Sequence, residues 1–265
     1  MALYHILILA LIQGITEFLP IGTSGHLVLA NQFSKLPDQD IAIDVAVHIG
    51  TLSSVIIYFW RDLWQILTGL LKAMAGRRGG QVKLLANIIL ATLPVAIAGY
   101  FLFDVAAIAF KDVEIIAWAT IGFAILLWIA DKSGMTLRRI EHIGFLSALV
   151  IGCAQVLALI PGTSRSGITI TAARFLGVER PDAARFSMLL AIPTILGVGA
   201  LSFLKLENSA EQLLHPDALT AAGISFVAGL IAISILMNWV RKTGFGFFVL
   251  YRLALGSILL YWVYI

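Results

Sequence analysis

Long apolar runs separated by short polar stretches are the main pattern along this chain. Six of the runs carry almost no charge, and each is roughly 20 residues long, the length that crosses a lipid bilayer as an α-helix. They are 41–60, 84–103, 113–130, 186–204, 218–240 and 245–265. The composition agrees, because 60% of the 265 residues are hydrophobic and 12% are charged, whereas soluble domains carry about 25% charged residues. The pattern predicts an all-α polytopic membrane protein that forms one domain, 1–265.

Basic residues between the runs indicate how the loops are oriented. Loop 61–83 contains five Lys or Arg residues and one acid, so the positive-inside rule places it in the cytoplasm. Further basic clusters at 132–139, 174–185 and 241–242 fall on the same side when the six runs alternate in direction. The net charge of +3 therefore belongs to cytoplasmic loops, and we expect no nucleic-acid partner.

Two apolar stretches do not fit this alternation as full spans. Segment 143–173 must begin and end on the cytoplasmic side, yet two spans would need about 40 residues. A re-entrant helix hairpin broken at Pro161 and Gly162 meets this constraint, since non-helical backbone is tolerated at membrane depth where it is buried in protein or lines a cavity. Residues 1–34 pose the same problem with opposite orientation, and they predict a second re-entrant hairpin that enters from outside.

The two predicted hairpins share a short motif. Gly-Thr-Ser occurs at 22–24 and again at 162–164, each time after a proline and before three predicted spans. Because the halves have opposite orientation, this indicates an inverted-topology repeat of roughly 1–130 and 141–265. Proteins of this kind commonly place their site near the midplane, where the broken helices meet. Chance similarity between small residues is the alternative.

Polar side chains cluster at both predicted hairpins. Gln13 and Glu17 share a helix face, and a carboxylate at membrane depth is usually functional. The others are Thr23, Ser24 and His26 in the first hairpin and Ser164, Arg165, Ser166 and Thr169 in the second. Arginine suits bidentate recognition of phosphate, and a divalent cation can join a carboxylate to phosphate oxygens. If the tips meet, this set predicts phosphoryl-transfer chemistry.

Other interpretations of these residues stay open at this point. Ser24 and Ser166 could bond to the helix backbone, and Glu17 with Arg165 could form a structural ion pair. Arg252, in the last span, either snorkels to an interface or contacts a phosphate. Inverted repeats and broken helices are also typical of secondary transporters, so a transporter or lipid flippase is the rival function.

Two signatures resemble those of a known family, the undecaprenyl-diphosphate phosphatases of the bacitracin-resistance (BacA) type. The first is Gln-x-x-x-Glu, formed by Gln13 and Glu17 in QGITEFLP and followed by Gly25-His26; the second is the segment Pro161 to Thr169. Segments RFSMLLAIP (185–193) and YR (251–252) are also similar to family segments. The similarity runs along the whole chain.

The resemblance implies an enzyme that hydrolyses undecaprenyl diphosphate to undecaprenyl phosphate and inorganic phosphate. This activity recycles the lipid carrier of peptidoglycan synthesis and confers bacitracin resistance. It also implies a divalent cation (Mg or Ca), six spans with two re-entrant helix pairs, and a pocket that faces the periplasm from the bacterial inner membrane. Prenyl diphosphate and membrane lipids are the expected partners, and a homodimer is one expected state.

The resemblance also assigns roles to the polar cluster. Glu17, Thr23, His26 and Arg165 are expected to be catalytic. Ser24, Ser164, Ser166, Thr169 and Arg252 are expected to bind substrate, and Gln13 with Glu17 to bind the cation. The chain departs from the family pattern where Gly22 and Thr23 replace two serines. The attacking group is therefore left open between Thr23, His26 and a water molecule.

Overall fold

The computed structural model describes residues 3–34, 41–74, 80–109, 112–133, 137–204 and 209–265. Regular structure within these ranges is helical, apart from one isolated bridge between Arg138 and Val178. The helices are α1 (Leu3–Thr16), α2 (Thr23–Ser34), α3 (Ile41–Tyr58), α4 (Trp60–Met74), α5 (Gly80–Ala109), α6 (Val113–Ser133), α7 (Phe145–Val156), α8 (Arg165–Phe175), α9 (Arg180–Leu204), α10 (Ser209–Leu214), α11 (Pro216–Lys242) and α12 (Gly246–Tyr264).

Among the described residues, six helices are long and apolar enough to cross a membrane. They are α3, α5, α6, α9, α11 and α12, and they coincide with the six apolar runs of the sequence. The predictions of an all-α fold and of six apolar helices of spanning length are confirmed for this part of the chain. Large apolar side chains such as Ile57, Leu93 and Trp128 remain exposed on these helices, as expected of surfaces that face lipid.

Helix α4 lies in a segment that the sequence interpretation left as a cytoplasmic loop. Its exposed apolar residues Trp60, Trp64, Leu67 and Leu71 recur at helical spacing, and the carboxylate of Asp62 accepts hydrogen bonds from Arg185 on α9. This helix of 15 residues is shorter than a span. Its exposed apolar face is typical of a helix that lies in the membrane interface.

Two pairs of short helices are interrupted where the sequence predicted breaks. Helices α1 and α2 have 14 and 12 residues, and α7 and α8 have 12 and 11, each too short for a span of about 20 residues. Both breaks contain a glycine in the left-handed region, Gly22 with φ of 82° and Gly162 with φ of 93°. A side chain at Gly162 would also collide with the carbonyl oxygen of Ile116, so the second break is packed tightly against α6.

Small residues let the helices approach closely. An added Cβ at Gly14 on α1 would lie 2.7 Å from Ala228 on α11. An added Cβ at Gly152 on α7 would collide with the backbone of Ala91 on α5. In membranes, where apolar side chains face both lipid and protein, such close packing is a main source of helix association.

Candidate functional site

The tips of the two broken helix pairs contact each other directly. The backbone N–H of Gly162 donates a hydrogen bond to Ser24 Oγ at 2.7 Å across a sequence separation of 138 residues. Ser166 Oγ donates to the carbonyl oxygen of Leu19 at 3.0 Å. Ser24 and Ser166 are both buried. Their hydroxyls therefore join one tip to the other.

An ion pair between Glu17 and Arg165 lies at this junction. Arg165 Nε lies 3.3 Å from Glu17 Oε1, and Arg165 Nη2 donates to the Glu17 carbonyl oxygen at 3.2 Å. Gln13 Nε2 donates to the other carboxylate oxygen at 3.1 Å. The side chains of Arg165 and Glu17 are 11% and 15% exposed, so the pair lies mostly inside the protein but remains accessible to solvent and to a ligand.

A buried serine that sequence reasoning missed supports Arg165 from the other side. Arg165 Nη1 donates to the Ser187 carbonyl oxygen at 3.2 Å, and the hydroxyls of Ser187 and Thr169 are 2.7 Å apart. Thr169 Oγ1 also lies 2.9 Å from the Arg165 carbonyl oxygen. The signal for Ser187 in the sequence was its position as the one serine inside the apolar stretch RFSMLLAIP.

The loop before α8 places the N-terminus of this helix at the junction of the two tips. Ser164 has a positive φ of 69°, and its side chain accepts a hydrogen bond from Gly167 N at 3.2 Å. The hydroxyls of Ser164 and Ser166 are 3.3 Å apart. Helix N-termini attract anions through free N–H groups and the helix dipole. With Arg165 as its first residue, α8 presents a positive end at the junction.

Arg252 supplies a second guanidinium to the same loop. It is 0% exposed, and Nη2 donates to the carbonyl oxygens of Gly162 and Thr163, both at 2.9 Å. The snorkelling alternative does not agree with this burial. Arg252 Nε and Nη1, and the Thr163 hydroxyl, have no hydrogen-bond partner among the described residues. These groups of Arg252 and Thr163 are hydrogen-bond donors that no described residue uses, and they lie beside the positive charge of Arg252.

Thr23 and His26 lie at the start of α2. Thr16 Oγ1 lies 2.8 Å from Thr23 Oγ1. His26 Nδ1 is 2.6 Å from the Gly22 carbonyl oxygen, and Nε2 is 2.6 Å from the hydroxyl of Tyr251. Tyr251 is a second residue that sequence reasoning did not assign, although it precedes Arg252 in the YR segment. The structure thus places both candidate attacking side chains at the tip of the first broken helix pair.

The donor set at Gln13 and Glu17 fits a hard divalent cation. Within the described ranges, no group of three or more His, Cys, Asp or Glu residues could hold a metal ion by itself. Magnesium is usually bound by one or two carboxylates together with waters and substrate phosphates. A carboxylate with an amide oxygen would suit such a shared site, for which the Gln13 amide would have to turn, because its nitrogen donates to Glu17.

Fold and site together define a class of protein. This is a multi-pass helical membrane protein in which two broken helix pairs bring two arginines, a carboxylate and a helix N-terminus to one place, an arrangement suited to a phosphate group. Residues 6–258 match the family model described as Bacitracin resistance protein BacA, and the chain belongs to that family. The resemblance inferred from the two signatures is confirmed.

Relatives match along their whole length. One from Rhodospirillum rubrum, named Undecaprenyl-diphosphatase 1, is 44% identical over 272 residues that cover 100% of this chain and 96% of the relative. Relatives named Undecaprenyl-diphosphatase from Ruegeria pomeroyi and Teredinibacter turnerae are also 44% identical, over 98% of both chains in each comparison.

Proposed function

We propose that this protein hydrolyses undecaprenyl diphosphate to undecaprenyl phosphate and inorganic phosphate in the bacterial inner membrane. The product is the lipid carrier of peptidoglycan synthesis, and its recycling would confer bacitracin resistance. The observation that carries the proposal is the meeting of Glu17 and Arg165, from opposite helix pairs, beside the N-terminus of α8. The names of the 44% identical relatives supply the substrate.

We further propose that both broken pairs are re-entrant hairpins related by an inverted repeat. Gly22 and Gly162, which occupy matching places in the two Gly-Thr-Ser motifs, both have positive φ. In the same way, α1 packs through Gly14 against α11, and α7 packs through Gly152 against α5. The basic loops would lie in the cytoplasm, and the tips would open to the periplasm.

The proposed mechanism begins with recognition of the diphosphate. Arg165 and Arg252 attract its oxygens, and the Ser164 hydroxyl and the α8 N-terminus add donors. Thr169, Ser166 and Ser24 hold this arrangement through the bonds described above, and they are expected to contact substrate at the junction. The prenyl tail would lie between helices, in contact with membrane lipids.

Gln13 and Glu17 would hold the divalent cation, Mg or Ca. When bound, the cation neutralises phosphate charge and so removes the repulsion between the diphosphate and Glu17. Arg165 keeps the Glu17 carboxylate oriented toward the junction. His26, Thr23 or a water molecule attacks the terminal phosphorus, the bond from this phosphorus to the bridging oxygen breaks, and undecaprenyl phosphate leaves. Glu17 or His26 accepts the proton of a Thr23 or water attacker. Where His26 or Thr23 attacks, a water molecule then hydrolyses the phosphoryl-enzyme and releases inorganic phosphate.

Phosphate release from undecaprenyl diphosphate by the purified protein in detergent tests this function. Release should require a divalent cation and stop with EDTA, and Glu17→Ala and His26→Ala should each lose most of the activity. Arg241→Ala, which removes an exposed arginine of α11, is the matched control and should keep full activity. A folded wild-type protein that releases no phosphate in the presence of Mg or Ca would exclude the phosphatase and leave the transporter. The particle mass in the same detergent tests the predicted homodimer.

A further inference from the structure

His26 and Tyr251 form a close pair between the first hairpin and the last span. The His26 Nε2 atom and the Tyr251 hydroxyl are 2.6 Å apart. The two rings are nearly parallel, with an angle of 9° between their planes and 5.6 Å between their centroids. The contact joins residues 225 positions apart in the sequence, so it is a product of tertiary packing and not of local structure.

The hydrogen bonds of His26 define which ring nitrogen carries the proton. The Gly22 carbonyl oxygen, 2.6 Å from Nδ1, can only accept a hydrogen bond, so Nδ1 of the neutral ring must donate. Nε2 of a neutral imidazole is then an acceptor, and the hydrogen of the 2.6 Å contact comes from Tyr251. The lone pair of Nε2 is thereby held in a fixed direction.

We propose that Tyr251 is a proton relay between His26 and the attacking group. The Gly22 carbonyl oxygen sets the tautomer with Nδ1 protonated, and the Tyr251 hydroxyl occupies the lone pair of Nε2. A proton from the attacking group would pass to the oxygen of Tyr251, which is 39% exposed, as the hydroxyl proton of Tyr251 passes to Nε2. The proposal rests on the proposed phosphatase function, in the version in which His26 accepts the proton of the attacking group. Histidine is a common proton shuttle in enzymes.

Tyr251 lies next to a residue that contacts the second hairpin. The next residue, Arg252, donates to the carbonyl oxygens of Gly162 and Thr163 in the second hairpin. Of these two consecutive residues of α12, Tyr251 therefore contacts the first hairpin tip and Arg252 contacts the second. A small movement of this turn of α12 would disturb the imidazole and the phosphate loop together.

Tyr251→Phe isolates the hydroxyl, since phenylalanine keeps the ring that lies against His26. We expect kcat for phosphate release to fall about tenfold, the upper end of what one hydrogen bond contributes, with KM unchanged. Tyr261→Phe is the matched control because Tyr261 lies on the same helix and is 59% exposed; it should retain wild-type kcat. A role in packing alone predicts wild-type kcat for both variants.

A second measurement reports the contact without turnover. Diethyl pyrocarbonate modifies an imidazole nitrogen that has a free lone pair, and peptide mass spectrometry gives the rate at each histidine. Modification of His26 should be about fivefold faster in Tyr251→Phe, in line with the loss of one hydrogen bond. The rates at the exposed His142 and His215 should stay unchanged.

The two measurements separate failure of this inference from failure of the proposed function. Equal modification of His26 in both proteins, or a kcat for Tyr251→Phe equal to that of an active wild type, would overturn the role of Tyr251. If the wild-type protein releases no phosphate but Tyr251→Phe still speeds the modification of His26, the phosphatase function would be overturned. The contact between His26 and Tyr251 would stand.

Discussion

Two clusters of buried charge in this protein are built in different ways. Where the tips of the two broken helix pairs meet, Glu17 and Arg165 approach to 3.3 Å with side chains that are 15% and 11% exposed. At the other cluster, Asp131 at the end of α6 contacts Arg174 of α8 and Arg180 of α9, and the side chains of Asp131 and Arg174 are 5% and 0% exposed.

The difference lies in how completely each carboxylate is enclosed by protein groups. Asp131 Oδ1 accepts from Arg180 Nε at 2.6 Å, Oδ2 accepts from Phe245 N at 3.1 Å, and the Asp131 carbonyl oxygen accepts from Arg174 and Arg180, both at 3.3 Å. This cluster joins α6, α8 and α9 to the residue that directly precedes α12. Glu17 lies on irregular backbone with longer contacts, so its oxygens can exchange a protein partner for a ligand. Buried charge alone therefore does not identify a site. Here the less completely enclosed carboxylate is the one that lies where the tips of the two broken helix pairs meet.

The largest effect is expected from Arg165→Ala. Loss of a guanidinium that stabilises phosphoryl charge commonly lowers kcat by about 10³-fold or more. The thermal midpoint in detergent should fall less than in Asp131→Ala, because the side chain of Glu17 is 15% exposed and water can solvate its carboxylate. Arg165→Lys should recover only part of the rate, because lysine keeps the charge but not the bidentate fork. Near-normal phosphate release by Arg165→Ala would show that the two clusters are alike and that Arg165 is structural.

Asp131→Ala should have the opposite result. It leaves buried arginine charge without its carboxylate, which costs about 3–5 kcal/mol of stability. Thermal denaturation in detergent should show a much lower midpoint, while kcat per folded molecule stays near the wild-type value. A selective loss of kcat at an unchanged midpoint would contradict the structural role of this cluster.

Gly162→Ala tests the tight packing at the tip of the second broken helix pair. Alanine disfavours the positive φ by about 1–2 kcal/mol, and its Cβ would also collide with the Ile116 carbonyl oxygen. We expect a large loss of phosphate release together with a lower thermal midpoint, because the loop that holds the Ser164 N-cap must move. A fully active variant would show that the tip does not need this close contact with α6.

Gly22→Ala at the first tip is the matched and smaller change. The nearest atoms to its added Cβ lie 3.6 Å away, an ordinary contact, so only the conformational cost of about 1–2 kcal/mol remains. The midpoint should fall less than in Gly162→Ala, and most of the activity should persist. Equal damage at the two tips, measured in parallel by both assays, would contradict the different packing seen at the two breaks.

Much of the architecture could be read from the order of residues. The six spans were predictable because the bilayer thickness sets the length of an apolar run, and Pro161 with Gly162 marked a break because neither residue favours a helix interior. Glu17 and Arg165 could be singled out, since charge at membrane depth is costly. The signatures around them were long enough to indicate the family, which the comparisons confirm.

Other features were decided only by tertiary structure. Helical periodicity says which residues share a face, but not which helix that face meets, and in a membrane an apolar surface fits lipid as well as protein. For this reason the sequence could not place Ser187 behind Arg165 or Tyr251 beside His26, and it left Arg252 undecided between an interface and the interior. These contacts join residues that are 22 positions apart for Arg165 and Ser187, 90 for Arg252 and Gly162, and 225 for His26 and Tyr251. They depend on which helices pack together, and the order of residues does not fix that.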